Sequence, residues 1–216
     1  MIRTLLVLGA LQAVFTGVQT TEFGRFDGSV QTEWLGDGRR MRLLADFRFY
    51  QPDSTEWLAP KDSIVDGASI PRVFWTFIGG PYEGKYRNAS VVHDVACVVR
   101  TRPWKTVHRM FYLASRAGGV SALNAKVMYG AVYHFGPRWP APTLPHRGSL
   151  SLPFSLSAQD SLIRSLTTDE DFLRMREYIR RNPTIELEAI ERLTRAALER
   201  AVPQVPPAFR GLLQEL

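Results

Sequence analysis

His93 and Asp94 are consecutive ionisable residues in an otherwise apolar segment, and they are the side chains of this chain best suited to chemistry. Apolar residues recur there at three- and four-residue steps, with no Gly or Pro between them, at Tyr86, Ala89, Val92, Ala96 and Val99. This spacing predicts a helix, and its nearly continuous apolar surface is typical of a buried one. Because burial of an unpaired ionisable group is costly, we expect both residues to have specific partners.

Neighbouring residues of a helix point about 100° apart, so His93 and Asp94 are predicted to serve two adjacent sites rather than one. An imidazole that faces a cleft can accept a proton from water near neutral pH. A carboxylate turned toward a loop can bind a hard cation, and the segment from Asp66 to Ser69 could supply a second carboxylate and backbone carbonyls. Oxygen donors of this kind favour calcium over a thiolate-binding metal.

A purely structural interpretation of the same residues stays open. Asp66 can cap the turn before Pro71, and His93 and Asp94 can be satisfied by buried hydrogen bonds to tyrosines or to the backbone. Spacing alone favours this interpretation.

The composition predicts one domain with extensions. The chain has 216 residues, 45% of them hydrophobic, and a formal net charge of +6. This modest excess of scattered Arg suits a soluble surface and does not require nucleic acid as a partner, and it leaves the oligomeric state open. Cys97, the single cysteine, cannot form an internal disulfide, and its apolar surroundings predict an inert buried thiol.

Residues 1–20 resemble a secretory signal peptide, because Arg3 precedes a short apolar run that ends in small and polar residues. We therefore expect export to the periplasm or the medium, or membrane association through an uncleaved N-terminus. The alternative is a buried first helix or strand.

Strand-like and helix-like patterns follow one another along the chain. Segments from Phe26 to Trp34, Met41 to Phe49 and Glu56 to Leu58, separated by turn signals, predict one small antiparallel sheet. After the central helix, a second helix is expected from Trp104 to Ala117, and a third from a Ser121 cap to Gly136.

The C-terminal part is predicted to be a helical extension. A Pro- and Ser-rich linker covers 139–157, and two amphipathic helices follow, from Thr168 to Arg181 and from Pro183 to Ala201. The sequence thus predicts an α+β fold with a signal peptide over 1–20, a core domain over 21–138, the linker over 139–157 and the extension over 158–216.

Five sequence motifs carry a resemblance to a known family. They read D-F-R-F-Y, D-G-A-S-I-P-R-V-F-W, N-A-S-V-V-H-D, F-Y-L-A-S-R-A-G-G and V-M-Y-G-A-V-Y-H-F-G. Together they resemble the domain-of-unknown-function family thirteen fifty-three of phages and bacteria, over roughly Phe23 to Trp139. That family implies no activity. A more distant similarity, to bacterial secreted phospholipases of the A-two type, implies a three-helix core and a phospholipid or membrane surface as partner.

The phospholipase resemblance implies a role for each matching residue. His93 would be the general base, Asp66 and Asp94 calcium ligands, and Gly67 a carbonyl donor to the same ion. His108 occupies the position of the aspartate that orients the histidine in those enzymes. A second imidazole accepts a hydrogen bond only while it is neutral, so any hydrolysis is expected to be weak. The substrate-facing positions of this interpretation are Ser69, Phe74, Trp75 and Tyr112.

Three functions remain open on the sequence. The first is an exported, calcium-dependent lipid or ester hydrolase with His93 as base. The second is a non-catalytic phage- or envelope-associated binding module. The third is a hydrolase whose transition metal, zinc, is held by His93, His108 and Asp66 or Asp94.

Overall fold

The structure of the protein is a computed structural model that describes residues 21–38, 40–66, 84–139 and 161–210. It has the expected α+β fold, with strands in the N-terminal part and helices after them. The predicted signal peptide, the glycine-rich loop after Asp66 and nearly all of the predicted linker lie outside the described residues.

Six short strands form two three-stranded antiparallel sheets. Their bounds are Arg25–Asp27 (β1), Thr32–Trp34 (β2), Met41–Leu43 (β3), Phe47–Tyr50 (β4), Glu56–Ala59 (β5) and Ile64–Val65 (β6). The strand orders are β1-β4-β5 and β2-β3-β6, so the expectation of one sheet is wrong. Each of the first two predicted segments is interrupted, at Gly28 with φ +80° and in a bend at residues 44–45, and therefore contributes to both sheets.

The β1-β4-β5 sheet presents one apolar face to the helices. Phe47 and Phe49 of β4 alternate with half-buried polar neighbours and are 1% and 0% exposed. Phe49 lies opposite Trp57 of β5, which is also buried. This period of two is what the sequence predicts for a half-buried strand.

The helices carry most of the described core. Their bounds are Arg87–Val99 (α1), Trp104–Ala117 (α2), Ala122–Phe135 (α3), Asp169–Arg181 (α4), Leu187–Ala201 (α5) and Pro207–Arg210 (α6). One-turn 3-10 helices precede α1, at Gly84–Tyr86, and follow α5, at Val202–Gln204; residues 161–166 are also helical.

Side-chain caps explain where α3 and α4 begin. Ser121 and Thr168 accept hydrogen bonds from the backbone N–H groups of Asn124 and Asp171, as N-caps do. The last predicted helix starts at Leu187 and not at Pro183, because Pro183 lies in a turn closed by a 3.0 Å bond from Ile185 N–H to Asn182 O.

The hairpin of α4 and α5 packs on α3 and shares its core. Gly130 of α3 leaves space for this contact: a Cβ there would lie 3.2 to 3.4 Å from the side chains of Met175, Ile190 and Ile179. All three partner side chains are buried. No described helix is long and apolar enough to cross a membrane.

Candidate metal centre

His93 of α1 and His108 of α2 meet where these two helices pack. His93 Nε2 and His108 Nδ1 are 2.9 Å apart, and the ring centroids are separated by 5.1 Å. The two imidazoles therefore lie within hydrogen-bond distance of each other. One nitrogen of this pair donates its proton and the other accepts it, so at least one ring is neutral.

Burial keeps both imidazoles uncharged. Each is 0% exposed. Burial lowers the pKa of His93 to about 3. It also lowers the pKa of His108 well below its usual value, and the nearby His93 and Arg138 add to this effect, against a smaller opposing contribution from the backbone of Pro137. At neutral pH the pair consists of two neutral imidazoles, each with a lone pair that can bind a metal.

Cys97 is the third donor of this cluster, one helical turn after His93. Its Sγ lies 3.6 Å from Nε2 and 3.9 Å from Nδ1 of His93, and the thiol is buried. One potential ligand atom from each of His93, Cys97 and His108 lies within 4.8 Å of the others. The apolar surroundings of Cys97 predict an inert thiol, but its i, i+4 spacing from His93 also places it on the same face of the helix.

Aromatic side chains and one glycine enclose the cluster. The ring centroid of Phe111 is 4.8 Å from that of His93, and the centroid of Trp104 is 5.5 Å from that of His108. Gly136 lies against the edge of His108, since a Cβ there would come within 2.9 Å of its Nε2. The surroundings are therefore close-packed and apolar, which strengthens electrostatic interactions inside them.

The donor set fits a borderline metal better than a hard one. Two imidazole nitrogens and one thiolate sulfur suit zinc, whereas calcium requires oxygen ligands. Zn–N bonds of about 2.0–2.1 Å in a tetrahedron place two nitrogens about 3.3 Å apart. The 2.9 Å between His93 and His108 is a few tenths of an ångström shorter, so small side-chain movements, together with transfer of the shared proton to the other nitrogen of its ring, would convert the hydrogen-bonded pair into a ligand pair.

The predicted calcium ligands lie on neighbouring elements. Asp94 is 4% exposed and follows His93 on α1, and Asp66 is half-buried directly after β6, which packs against α1. Gly67, Ser69, Phe74 and Trp75 lie outside the described residues. The calcium site therefore stays a prediction.

Tyr112, the remaining predicted substrate-facing residue, is half-buried on α2, one turn after His108. Its ring packs edge-on against Tyr129, with centroids 6.2 Å apart, and burial raises the pKa of its hydroxyl. A role in contacting substrate stays a prediction for it as well.

Comparison with known proteins confirms the first resemblance. Residues 41–132 match the model of the family described as "Protein of unknown function (DUF1353)". This span contains all three residues of the cluster. No solved structure matches the chain at a significant level.

Two relatives from Sinorhizobium fredii (strain NBRC 101917 / NGR234) also match. The uncharacterized protein y4jT is 41% identical over 139 residues, which are 62% of this chain and 41% of the relative. The uncharacterized protein y4iH is 41% identical over 104 residues, which are 48% of this chain and 44% of the relative. The matched part thus spans less than half the length of either relative.

Proposed function

We propose that this protein is a non-catalytic binding module whose helical core is held by one zinc ion. The family that it matches is described as of unknown function, so the proposal rests on the geometry of the site. His93, Cys97 and His108 are the protein ligands of this ion. The observation that carries the proposal is the convergence of three buried donor atoms within 4.8 Å.

The ion would join two elements of the core. His93 and Cys97 lie on α1 and His108 on α2, so a bound ion cross-links the two helices. The lowered pKa values of both imidazoles support this role, because zinc binds the neutral form; the ring that donates the hydrogen bond has only to move its proton to its other nitrogen. Only the Cys97 thiol has to lose its proton.

Burial favours a structural ion over a catalytic one. Three protein ligands leave a fourth coordination position open, as in a catalytic zinc site, but His93 and His108 are 0% exposed and Cys97 is 4% exposed, so substrate cannot reach that position. The same burial disfavours His93 as a general base, because its conjugate acid would form in an apolar environment beside a second imidazole instead of a carboxylate.

Metal content and metal-dependent stability test the proposal. Protein purified after zinc supplementation should contain about one zinc per chain, and a chelator should lower its melting temperature. At a free zinc concentration a hundredfold above Kd, binding stabilises by about 2.7 kcal/mol, or about 5–10 °C for a chain of this size.

Cobalt provides a direct readout of the ligands. Co²⁺ added to chelated protein should give thiolate-to-metal charge-transfer absorption, which Cys97→Ser should remove. Thr194→Val is the matched control, since Thr194 is equally buried but lies on α5, outside the cluster. Wild-type protein without stoichiometric zinc, and with the same melting temperature in zinc and in chelator, would overturn the proposal.

A further inference from the structure

A groove of about 330 Å³ lies between β5 and the helices α1 and α2. Val95 and Val99 are two and six residues after His93, which places them roughly 160° and 120° from it around the helix. The apolar lining side chains include Trp57, Leu58, Val95, Val99 and Val107. The volume falls within the range of about 300–1,000 Å³ that is usual for small-molecule sites.

Arg102 places a fixed positive charge at this groove. Its Nη2 donates a 2.9 Å hydrogen bond to the Glu56 carbonyl oxygen, and its guanidinium lies 4.2 Å from the centroid of the Trp57 ring. Trp57 is itself held by a 2.9 Å bond from its Nε1 to Gln51 Oε1. The contacts of Arg102 with the Glu56 carbonyl and the Trp57 ring orient its guanidinium, and the other N–H groups of Arg102 remain available as donors.

The nearby carboxylates are engaged elsewhere. Glu56 pairs with Arg48 at 3.0 Å, and Asp53 accepts a 2.9 Å bond from the Thr55 N–H. Asp53 feels the charge of Arg102, which contributes to the lowering of its pKa after the larger effect of Thr55, but forms no ion pair with it. Within the described parts of the chain, Arg102 has no carboxylate at ion-pair distance.

We propose that this groove binds an alkyl chain that ends in a carboxylate, as in a medium-chain fatty acid. The chain lies between Leu58, Val95 and Val99, and the carboxylate pairs with Arg102 beside the Thr101 hydroxyl. Apolar walls with a single oriented cation complement this ligand in both shape and charge. The lining of the groove includes none of His93, Cys97 and His108, so the proposal stands whether or not zinc binds.

Calorimetry with decanoate and decyltrimethylammonium tests the charge requirement at neutral pH, below the micellar concentration of either amphiphile. Decanoate should bind with a stoichiometry near one and the ammonium compound at least tenfold more weakly. Equal binding of the two, or no binding of decanoate, would overturn the proposal.

Two variants test the charge and the volume of the groove separately. Arg102→Gln removes the cation and should weaken decanoate binding about tenfold or more, since a charge-assisted pair is lost. Ala96→Leu adds volume to the wall of the groove and should weaken binding with Arg102 intact. Arg181→Gln, at an exposed arginine of α4 paired with Glu177, is the control and should bind as wild type does.

Thermal melts separate loss of the site from loss of the fold. Arg102→Gln also removes the contacts to Glu56 and Trp57, so its decanoate affinity tests the proposal only if the variant melts cooperatively. If it does not, the decanoate affinity of Ala96→Leu decides. Wild-type affinity in either folded variant would show that decanoate binds elsewhere and would overturn the assignment.

Discussion

At the scale of single residues, burial of imidazole rings makes the stability of the metal-free protein depend on pH. The pKa of His93 is lowered to about 3 and that of His134 to about 4, in both cases mainly by burial. In the unfolded chain the same groups titrate near 6.5. Below pH 6.5 the unfolded state therefore binds more protons than the folded state. The free energy of unfolding decreases as the pH is lowered, until the pH reaches the folded pKa values.

We predict that chelator-treated protein loses about 1.6 kcal/mol per buried histidine between pH 6.5 and pH 5, because the slope rises to 1.36 kcal/mol per pH unit only below the unfolded pKa. Urea denaturation at a series of pH values measures this. His134→Gln should reduce the slope, since Gln can keep the bond to the Thr168 carbonyl oxygen but does not titrate. A stability that is flat between pH 6.5 and 5 would contradict burial as the cause of the shifts.

His108→Asp separates the metal-centre proposal from the hydrolase prediction. A carboxylate beside His93 should raise the pKa of its imidazole, measurable by NMR titration. We expect phospholipid hydrolysis by the wild type and by His108→Asp, with calcium, to stay at the level of His93→Ala, because His93 is enclosed.

Calcium-dependent hydrolysis above the His93→Ala level in either protein would instead support the hydrolase prediction. General-base assistance is worth about a hundredfold or more in rate, so a fluorescent phospholipid assay would detect it readily. A chelator control assigns any such activity to the cation.

The sequence predicts part of this cluster. The local patterns predict the two helices but not that they pack together. Only the motif resemblance predicts that His93 and His108 lie close to each other. Cys97 was available from its spacing, but a lone cysteine in an apolar helix has the same pattern when it is inert. The contact of Gly136 with His108 depends on the path of the chain after α3, which no local signal fixes.

At the scale of elements, Glu191 attaches the C-terminal hairpin to the rest of the core. Its Oε1 accepts bonds from Tyr129 Oη at 2.6 Å and from Arg109 Nε at 3.0 Å. Tyr129 is 0% exposed, so its hydroxyl depends on this acceptor, and Glu188 adds a second carboxylate to Arg109. The network connects α2, α3 and α5.

We predict that Glu191→Ala destabilises the protein by on the order of 2 kcal/mol, because it leaves a buried hydroxyl without its acceptor. Glu191→Gln should cost less, since an amide oxygen can still accept from Tyr129. Glu170→Ala, which removes an exposed pair with Arg174, is the control and should cost about 0.5 kcal/mol or less. Denaturant midpoints compare the three, and equal effects of Glu191→Ala and Glu170→Ala would show that the network contributes little.

Helices were predicted more accurately than strands for a physical reason. Ser121 and Thr168 cap helices through contacts to residues three positions later, so these caps can be recognised from the local sequence. Strand partners are chosen by packing between distant segments, so Gly28 can mark a break in the chain but cannot assign the strands on its two sides to different sheets. The α5 start was misplaced because Pro183 suits both a first helical turn and the turn in which it lies.

At the scale of the whole molecule, the C-terminal hairpin belongs to the same core as the helices of the cluster. The residues it buries in that core are Phe172, Met175, Ile179 and Ile190. Full burial of one such side chain is worth about 1.5–3 kcal/mol, so four of them amount to a large share of the 5–15 kcal/mol that stabilises a typical domain.

We predict that a chain truncated after Trp139 loses its cooperative thermal transition and binds hydrophobic dyes, because the face of α3 around Gly130 is exposed. A chain that starts at Thr21 and keeps its C-terminus is the control for handling. Circular dichroism melts of the truncated chain and of the control measure whether each unfolds cooperatively. A truncated chain that melts cooperatively near the full-length temperature would show that the extension is an independent unit.

The pairing of the strands sets an order of events in folding. Phe26 pairs with Phe49, and Met41 with Val65, so the segment that closes one sheet lies inside the loop that closes the other. Closing long loops costs entropy before any contact is gained, whereas α1 and α2 meet across a short connection. The helical pair and the local β2-β3 and β4-β5 hairpins should therefore form early, and the β1-β4 and β3-β6 pairings that complete the two sheets should form late and together.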